Sequence, residues 1–364
     1  MSAVVLAAGE GTRMKSARPK PLHLLCGRPL VLHVIDALAE LDIDRVVVVV
    51  GHGAERVTKT LHEEAPVGLP VDFVEQHVQR GTGDAVATAL TGFPDDDLSD
   101  GDVVVLPGDT PLLRPATLAA LVRTHRAADA AATILTARLE HATGYGRIVR
   151  GKDERVRRIV EEADADAEER EIDEINTSVY VFRRSVLAPS LRRLSPENAN
   201  GEYYLTDVVG VLYDAGYNVV TLVAADAMEA AGVNDRAQLA AAEAELRDRT
   251  NERWMRRGVT MLDPERTYID ASVELAPDVT LFPGTLLQGR TVVAEGAEIG
   301  PDTRLVDCTV GEEAVVEQTV ARQAEIGAQA RVGPYAVLLA GARVAPGTVT
   351  GPFFVAAGDD EELT

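Results

Sequence analysis

The sequence predicts an α/β domain built on a mostly parallel sheet with helices on both faces, followed by a long helix and a parallel β-helix of hexapeptide repeats. Three observations carry this. Between Ala3 and about Phe182, short β-branched runs alternate with helical patterns. Residues 235–257 form one helical stretch without glycine or proline. Beyond it the hydrophobic period becomes six.

The elements follow in order. "AVVLA" is the first strand, "LVLHVIDALAEL" a helix, "RVVVVV" a second strand, and a helix follows "GHGAERV". The alternation continues through "DVVVLPGD", "PATLAALVRTHRAA", "AATILTARL" and "TSVYVF". Ligands of such sheets sit beyond the carboxyl ends of the strands, where both the glycine loop after the first strand and "PGDTPLL" fall. The acidic run "EEADADAEEREIDE", Glu161 to Glu174, reads as a solvated loop. Only Glu161, which follows the strand-like "RVRRIVE", is kept as a site candidate. In the β-helix, Leu281, Leu287, Val293, Ile299 and Leu305 recur every six residues, and after a slip Val320, Ile326, Val332, Leu338 and Val344 do so again. The expected division is 1–234 for the first domain, 235–262 for a helical linker, 263–355 for the β-helix and 356–364 for an acidic tail.

Composition narrows the function. A formal net charge of −22 over 364 residues, with no long basic run, argues against nucleic acid or an anionic membrane as partner. Cys26 and Cys308 stand far apart, with neither a disulfide framework nor metal-ligand spacing, which suits a reducing compartment. The start "MSAVVLAAG" has no charged region ahead of an apolar one, and no apolar run reaches the length of a membrane span. The expected location is the cytoplasm.

Against this acidic background, "LAAGEGTRMKSARPKPLH" (Leu6 to His23) gathers two glycines, two arginines and two of the chain's four lysines. Glycines after a strand expose backbone N–H groups in a concave array that receives anions. "GEGTR" fits neither G-x-G-x-x-G nor G-x-x-x-x-G-K-[ST]. Arg13 and Lys20 are suited to neutralise a polyphosphate, one as a planar fork and one as a point charge.

With "VVGHGAERV", "QRGTGDAV", "LPGDTPLL", "TGYGRIVR", "EINTSVYVF", "GEYYLTDVV" and "GVNDRAQL" in the same order and spacing, the chain resembles the N-acetylglucosamine-1-phosphate uridylyltransferase family over nearly its whole length. The resemblance implies a Rossmann-like nucleotidyltransferase domain, a linker helix and a short left-handed parallel β-helix. It also implies that UTP and N-acetylglucosamine 1-phosphate are condensed to UDP-N-acetylglucosamine and pyrophosphate. Residue by residue, it assigns Ala7, Ala8, Gly9 and Gly11 to the nucleotide, and Arg13 and Lys20 to the phosphates. Gln76, Gly81 and Thr82 would read the uracil, an assignment that suits an amide with backbone N–H and C=O groups facing an imide edge. Asp109 and Asn234 would hold Mg2+; read alone, Asn234 serves equally as a helix cap. Gly146, Glu161, Asn176, Tyr204 and Thr206 would grip the sugar. A homo-oligomer is expected, with a trimer through the β-helix as one form.

The pattern also breaks. Asp84 stands where the family has a histidine, Ala163 where it has a lysine, and Ser178 where it has a glycine. These leave open another hexose phosphate or dTTP as substrate, and a binding scaffold without turnover as the alternative from a different class. In family members the β-helix carries an acetyltransferase site. Here "GPYAVLLAG" (Gly333 to Gly341) places Leu339 and Ala340 where an arginine–proline pair is expected, and no histidine follows His141. The expectation is a β-helix without acetyltransferase activity.

Overall fold

The structure, a computed structural model, describes residues 1–93 and 101–358; most of the expected acidic tail, 359–364, lies outside them. The chain forms two compact units. The first comprises Met1–His23 and Pro29–Leu239, the second Leu24–Arg28 and Ala240–Thr364. The short Leu24–Arg28 segment therefore departs from the simple division expected at 234, and it is tied into the second unit by backbone bonds, including Ala271 N–H to the Cys26 carbonyl at 2.9 Å.

The first unit is built on a nine-stranded sheet. Its strands are β1 (Ser2–Ala7), β2 (Arg45–Val50), β3 (Val71–Glu75), β4 (Asp102–Pro107), β5 (Ala132–Arg138), β6 (Arg147–Arg150), β7 (Val156–Val160), β8 (Glu174–Arg183) and β9 (Val219–Val223). The order is β9-β5-β8-β4-β1-β2-β3, with β6 and β7 attached at β8. Val46–Val50 are all buried, because a central parallel strand is covered on both faces and reads as a run rather than an alternation. One face packs against α1 (Leu30–Ala39), α2 (Ala54–Glu64) and α4 (Pro115–Ala127). The other packs against α3 (Thr82–Leu90), α5 (Arg184–Leu191) and α6 (Asp207–Asp214).

Register then places the site. β1, β2, β3 and β4 are parallel, with Ala7 opposite Val50, Leu6 opposite Pro107 and Val50 opposite Glu75. Their carboxyl ends therefore align, bringing Ala8, Gln76 and Gly108 to one edge. β8 is antiparallel to both β4 and β5, so its beginning meets those same ends. Its pairing with β5 shifts between Asn176 and Val179, a bulge in which Ser178 takes φ +62°. That left-handed conformation costs a non-glycine residue roughly 1 to 2 kcal/mol, a cost that the glycine expected there from the resemblance would avoid.

In the second unit, the helix α7 (Arg236–Arg256), which begins in the first unit, leads to three parallel sheets. The first β-helix strand, Thr260–Met261, lies inside the stretch expected to be linker. One sheet stacks Thr260–Met261, Thr280–Leu281, Glu298–Ile299, Val315–Val316 and Arg331–Val332. A second holds six strands from Thr267–Ile269 to Val355–Ala356, and a third five strands from Glu274–Leu275 to Arg343–Val344. This is the parallel β-helix that the hexapeptide period predicts, left-handed as the resemblance implies.

The expected phase needs one correction. Val320 is 43% exposed and Ala321 fully buried, so Ala321 is the inward residue. The inward sequence after Leu305 is Val310, Val316, Ala321, Ile326, Val332, Leu338 and Val344. Three of its steps have five residues instead of six, each turning through one left-handed residue: Asp307, Gln318 and Gln323. A second correction concerns the acidic run. It is not wholly solvated: Glu174 is buried and paired with Arg150 at 2.9 Å, and Asp166 caps a short helical turn at Ala167–Arg170.

Candidate active site

Two adjoining cavities open at the carboxyl edge of the first unit's sheet. One, of about 290 Å3, is lined by Leu6, Ala7, Ala8, Gly9, Lys20, Gln76, Gly81, Thr82 and Asp109 among others. The other, of about 370 Å3, is lined by Glu161, Ala163, Tyr180, Tyr204 and Thr206 among others. Leu6, Thr82, Ser178 and Glu202 line both, so Ser178 stands on their common wall. A larger cleft of about 740 Å3 runs along α3 and α5 past Arg80, Phe93 and Arg192, and none of the expected site residues lines it.

At the first cavity's mouth the Lys20 ammonium donates to Asp109 Oδ2 and, at 2.8 Å, to Asn234 Oδ1. Arg13 donates to the same Asn234 oxygen at 3.0 Å. Val233 N–H donates to the Asp109 carbonyl at 2.9 Å, which ties "GVND" to "PGD". The helix-cap alternative for Asn234 does not hold. Asp235 accepts from Gln238 N–H at 2.8 Å and caps α7, leaving the Asn234 side chain to the cluster. Gly11 at φ +63° is required, because a Cβ there would stand 2.6 Å from Lys20 Cβ. A Cβ on Gly9 would meet nothing within 4 Å, so that glycine leaves backbone bare toward the cavity.

Deeper in, Gln76 is buried, and its amide nitrogen donates to Asp84 Oδ2 at 2.8 Å and to the Gly81 carbonyl at 3.3 Å. A Cβ on Gly81, at φ +106°, would lie 2.6 Å from the Tyr203 carbonyl, so only glycine lets that loop pass. Leu205 N–H donates to Thr82 Oγ1 at 3.0 Å, which joins this wall to the second cavity.

In the second cavity, Thr206 Oγ1 donates to Glu161 Oε1 at 2.9 Å. Burial pushes the Glu161 carboxyl above its usual range, opposed in part by the Thr206 hydroxyl and reinforced by Asp207, Asp164 and Glu202. The folded state therefore binds the Glu161 proton more tightly than the unfolded chain does, and this residue's contribution to stability falls as pH rises from the ordinary glutamate range through the raised one. Glu161→Gln should melt further above wild type at pH 7 than at pH 4 while binding the sugar phosphate more weakly; a Tm difference independent of pH would contradict this.

Two expected sugar contacts are placed otherwise. Asn176 is buried, its Oδ1 accepting from Ser178 N–H at 3.1 Å and its amide donating to the Tyr180 hydroxyl at 2.8 Å. Its side chain supports the bulge. Gly146 lies behind Glu161, its carbonyl taking Asn176 N–H at 2.8 Å. Sequence reasoning missed Gln79, whose amide donates to the Ala8 carbonyl at 2.6 Å, and Glu202 on the common wall.

A nucleotidyl transferase family model matches residues 2–255. The Bifunctional protein GlmU of Desulfitobacterium hafniense (strain DSM 10664 / DCB-2) is 48% identical over 96% of this chain and 73% of its own length. The chain belongs to the GlmU family. The GlmU of Streptomyces coelicolor is 50% identical over 96% of this chain and 72% of that protein. A putative glucose-1-phosphate thymidylyltransferase from Bacillus anthracis, solved in complex with a sucrose, shares the fold at TM-score 0.53 and 19% identity, over 68% of this chain and 95% of that one. This member of the GlmU family is a sugar-1-phosphate nucleotidyltransferase, and its membership supports synthesis of UDP-N-acetylglucosamine by uridylyl transfer. Among the described residues, no helix is long and apolar enough to cross a membrane.

Proposed function

We propose that the first unit transfers UMP from UTP to N-acetylglucosamine 1-phosphate, with nucleotide in the cavity of about 290 Å3 and sugar in the adjoining one of about 370 Å3. The observation that carries this reading is the cluster of Lys20, Arg13, Asp109 and Asn234 beside cavities that share a wall. A phosphate oxygen of the sugar 1-phosphate attacks the α-phosphorus in line, and pyrophosphate leaves on the opposite side. No protein nucleophile is needed. Bare backbone at Ala7, Ala8 and Gly9 receives the phosphates, and Lys20 and Arg13 neutralise charge as it builds on the leaving group. Gln76 and the backbone at Gly81 and Thr82 face the base, while Glu161, Thr206 and Tyr204 meet sugar hydroxyls and the acetamido group.

The donor set suits a magnesium ion. Asp109 Oδ2 and Asn234 Oδ1 already converge on one cationic atom, the Lys20 ammonium. Two protein oxygens suffice for a hard cation whose remaining ligands are substrate phosphates and water. Asp109 and Asn234 would hold Mg2+, which supplies charge neutralisation at phosphate oxygens.

The second unit is assigned assembly rather than chemistry. On its six-stranded sheet the outward residues Val320, Val337 and Val355 stack in register, each more than a third exposed. Beside them Tyr335 and Phe353 stack with ring centroids 5.3 Å apart. This apolar ladder supports a homo-oligomer formed through the β-helix, a trimer being the form first tested. Acetyl transfer is assigned no residues here, because Leu339 and Ala340 offer no charge to a phosphorylated sugar and the described residues of the second unit include no histidine.

One experiment tests the reading: pyrophosphate release across a panel of nucleotides and sugar 1-phosphates, with CoA thiol release from acetyl-CoA and glucosamine 1-phosphate in parallel. UTP with N-acetylglucosamine 1-phosphate should give the highest kcat/KM, and no CoA should appear. A clearly better pair would reassign the substrates, and CoA release dependent on glucosamine 1-phosphate would put an acetyltransferase site in the second unit.

A further inference from the structure

We propose that Asp84 is a positioning residue that sets which base the site accepts, a reading that rests on Gln76 facing the base. Gln76 is 7% exposed and lines the smaller cavity. Its amide group carries two N–H hydrogens and one carbonyl oxygen, and their arrangement follows from the neighbours. An ionised carboxylate can only accept, and so can a carbonyl. Gln76 meets one of each, Asp84 Oδ2 at 2.8 Å and the Gly81 carbonyl at 3.3 Å. Both amide hydrogens are thereby committed.

The carbonyl oxygen Oε1 is the polar atom left for a ligand. In the reversed arrangement that oxygen would face both the Asp84 carboxylate and the Gly81 carbonyl, acceptor against acceptor, which is disfavoured. Asp84 is itself held in the first turn of α3, where the helix dipole favours a negative charge.

The consequence concerns ring nitrogen N3 of a pyrimidine. Uracil and thymine carry a hydrogen there and donate to an acceptor. Cytosine carries a lone pair, which would face the Gln76 oxygen without a hydrogen between them. A buried site built to hydrogen-bond one group discriminates strongly against an analogue that leaves its polar atoms unpaired. Asp84, which contributes no contact to the base, thus makes the site specific for an imide edge by removing the alternative orientation of Gln76. At this position the resemblance leads one to expect a histidine, whose ring can donate or accept and would not by itself settle that orientation.

The test compares UTP with CTP in pyrophosphate release for wild type, Asp84→Ala, Asp84→Asn and Gln76→Ala, with Tm measured for each. Asp84→Ala should raise KM for UTP and reduce the UTP-to-CTP ratio of kcat/KM by roughly tenfold or more, about one buried hydrogen bond's worth, with kcat for UTP little changed. Asp84→Asn, whose amide can donate to Gln76 as well as accept from it, no longer fixes that orientation and should also lower the ratio, by less than Asp84→Ala because the Gly81 carbonyl still favours the original one. A wild-type ratio in both variants would overturn the positioning role. Gln76→Ala should lose both affinity and discrimination. If Gln76→Ala lowers the ratio while folded Asp84→Ala keeps the wild-type value, the positioning role of Asp84 is overturned and the base-reading role of Gln76 stands. If Gln76→Ala leaves UTP affinity and the ratio unchanged, the base lies elsewhere and both assignments fall.

Discussion

Asp109→Asn is expected to lower kcat/KM for UDP-N-acetylglucosamine synthesis by about three orders of magnitude, the upper range for losing one preorganised electrostatic contact. Asp109 carries the negative charge of the pair that converges on Lys20, and Asn234 brings only a neutral oxygen. A hard dication bound through one carboxylate, one amide and substrate phosphates loses most of its protein attraction when that carboxylate becomes an amide. The variant should therefore need much more Mg2+ to reach half its maximal rate. Folding should be spared, because Asp109 is partly solvated and, among the described residues, pairs with Lys20 of the same site. Superimposable Mg2+ titrations of the variant and wild type would remove Asp109 from the metal assignment.

Lys20→Ala should cost about two orders of magnitude in kcat/KM, with Arg13→Ala causing a loss of similar size. Lys20 emerges beside Gly11, whose missing side chain leaves it room, and it lines the cavity to which the nucleotide is assigned above. Lys20→Arg should recover only part of the loss, since a planar fork cannot occupy the place of a compact point charge between two oxygens. The loss should fall mainly on kcat if the contact strengthens as pyrophosphate departs, and mainly on KM if it is made equally in the ground state. Wild-type turnover by folded Lys20→Ala protein would reduce "RPK" to an ordinary loop.

The fold was legible because its two parts impose different and simple periods. Valine runs such as Val46–Val50 mark strands covered on both sides, and a six-residue recurrence matches neither the 3.6-residue turn of a helix nor the plain alternation of a flat strand. Less legible was which side chain within a motif faces the cavity. Gln79 and Glu202 lie inside "QRGTGDAV" and "GEYYLTDVV", yet a motif gives no direction for each side chain. Asn176 shows the converse. It lies on β8 at the site's edge, but the bulge draws its polar atoms to Ser178 and Tyr180. The role of Asp84 was hidden because a helix-start acid usually serves the helix, and only the fold brings it to Gln76.

The three five-residue corners of the β-helix bear on how such a chain can change length. In an ordinary sheet, removing one residue from a strand turns every following side chain to the opposite face. Here Asp307, Gln318 and Gln323 each turn a shortened corner in one left-handed step, and the next strand still presents its residue inward: Val310, Ala321 and Ile326. Each coil is hydrogen-bonded to the coils above and below it, so the neighbouring coils hold the register that the shortened segment would otherwise lose. Loss of a residue is thus a local event at a corner and a global one inside a strand. Evolution can trim or extend the solenoid at its edges while its interior alignment is inherited unchanged.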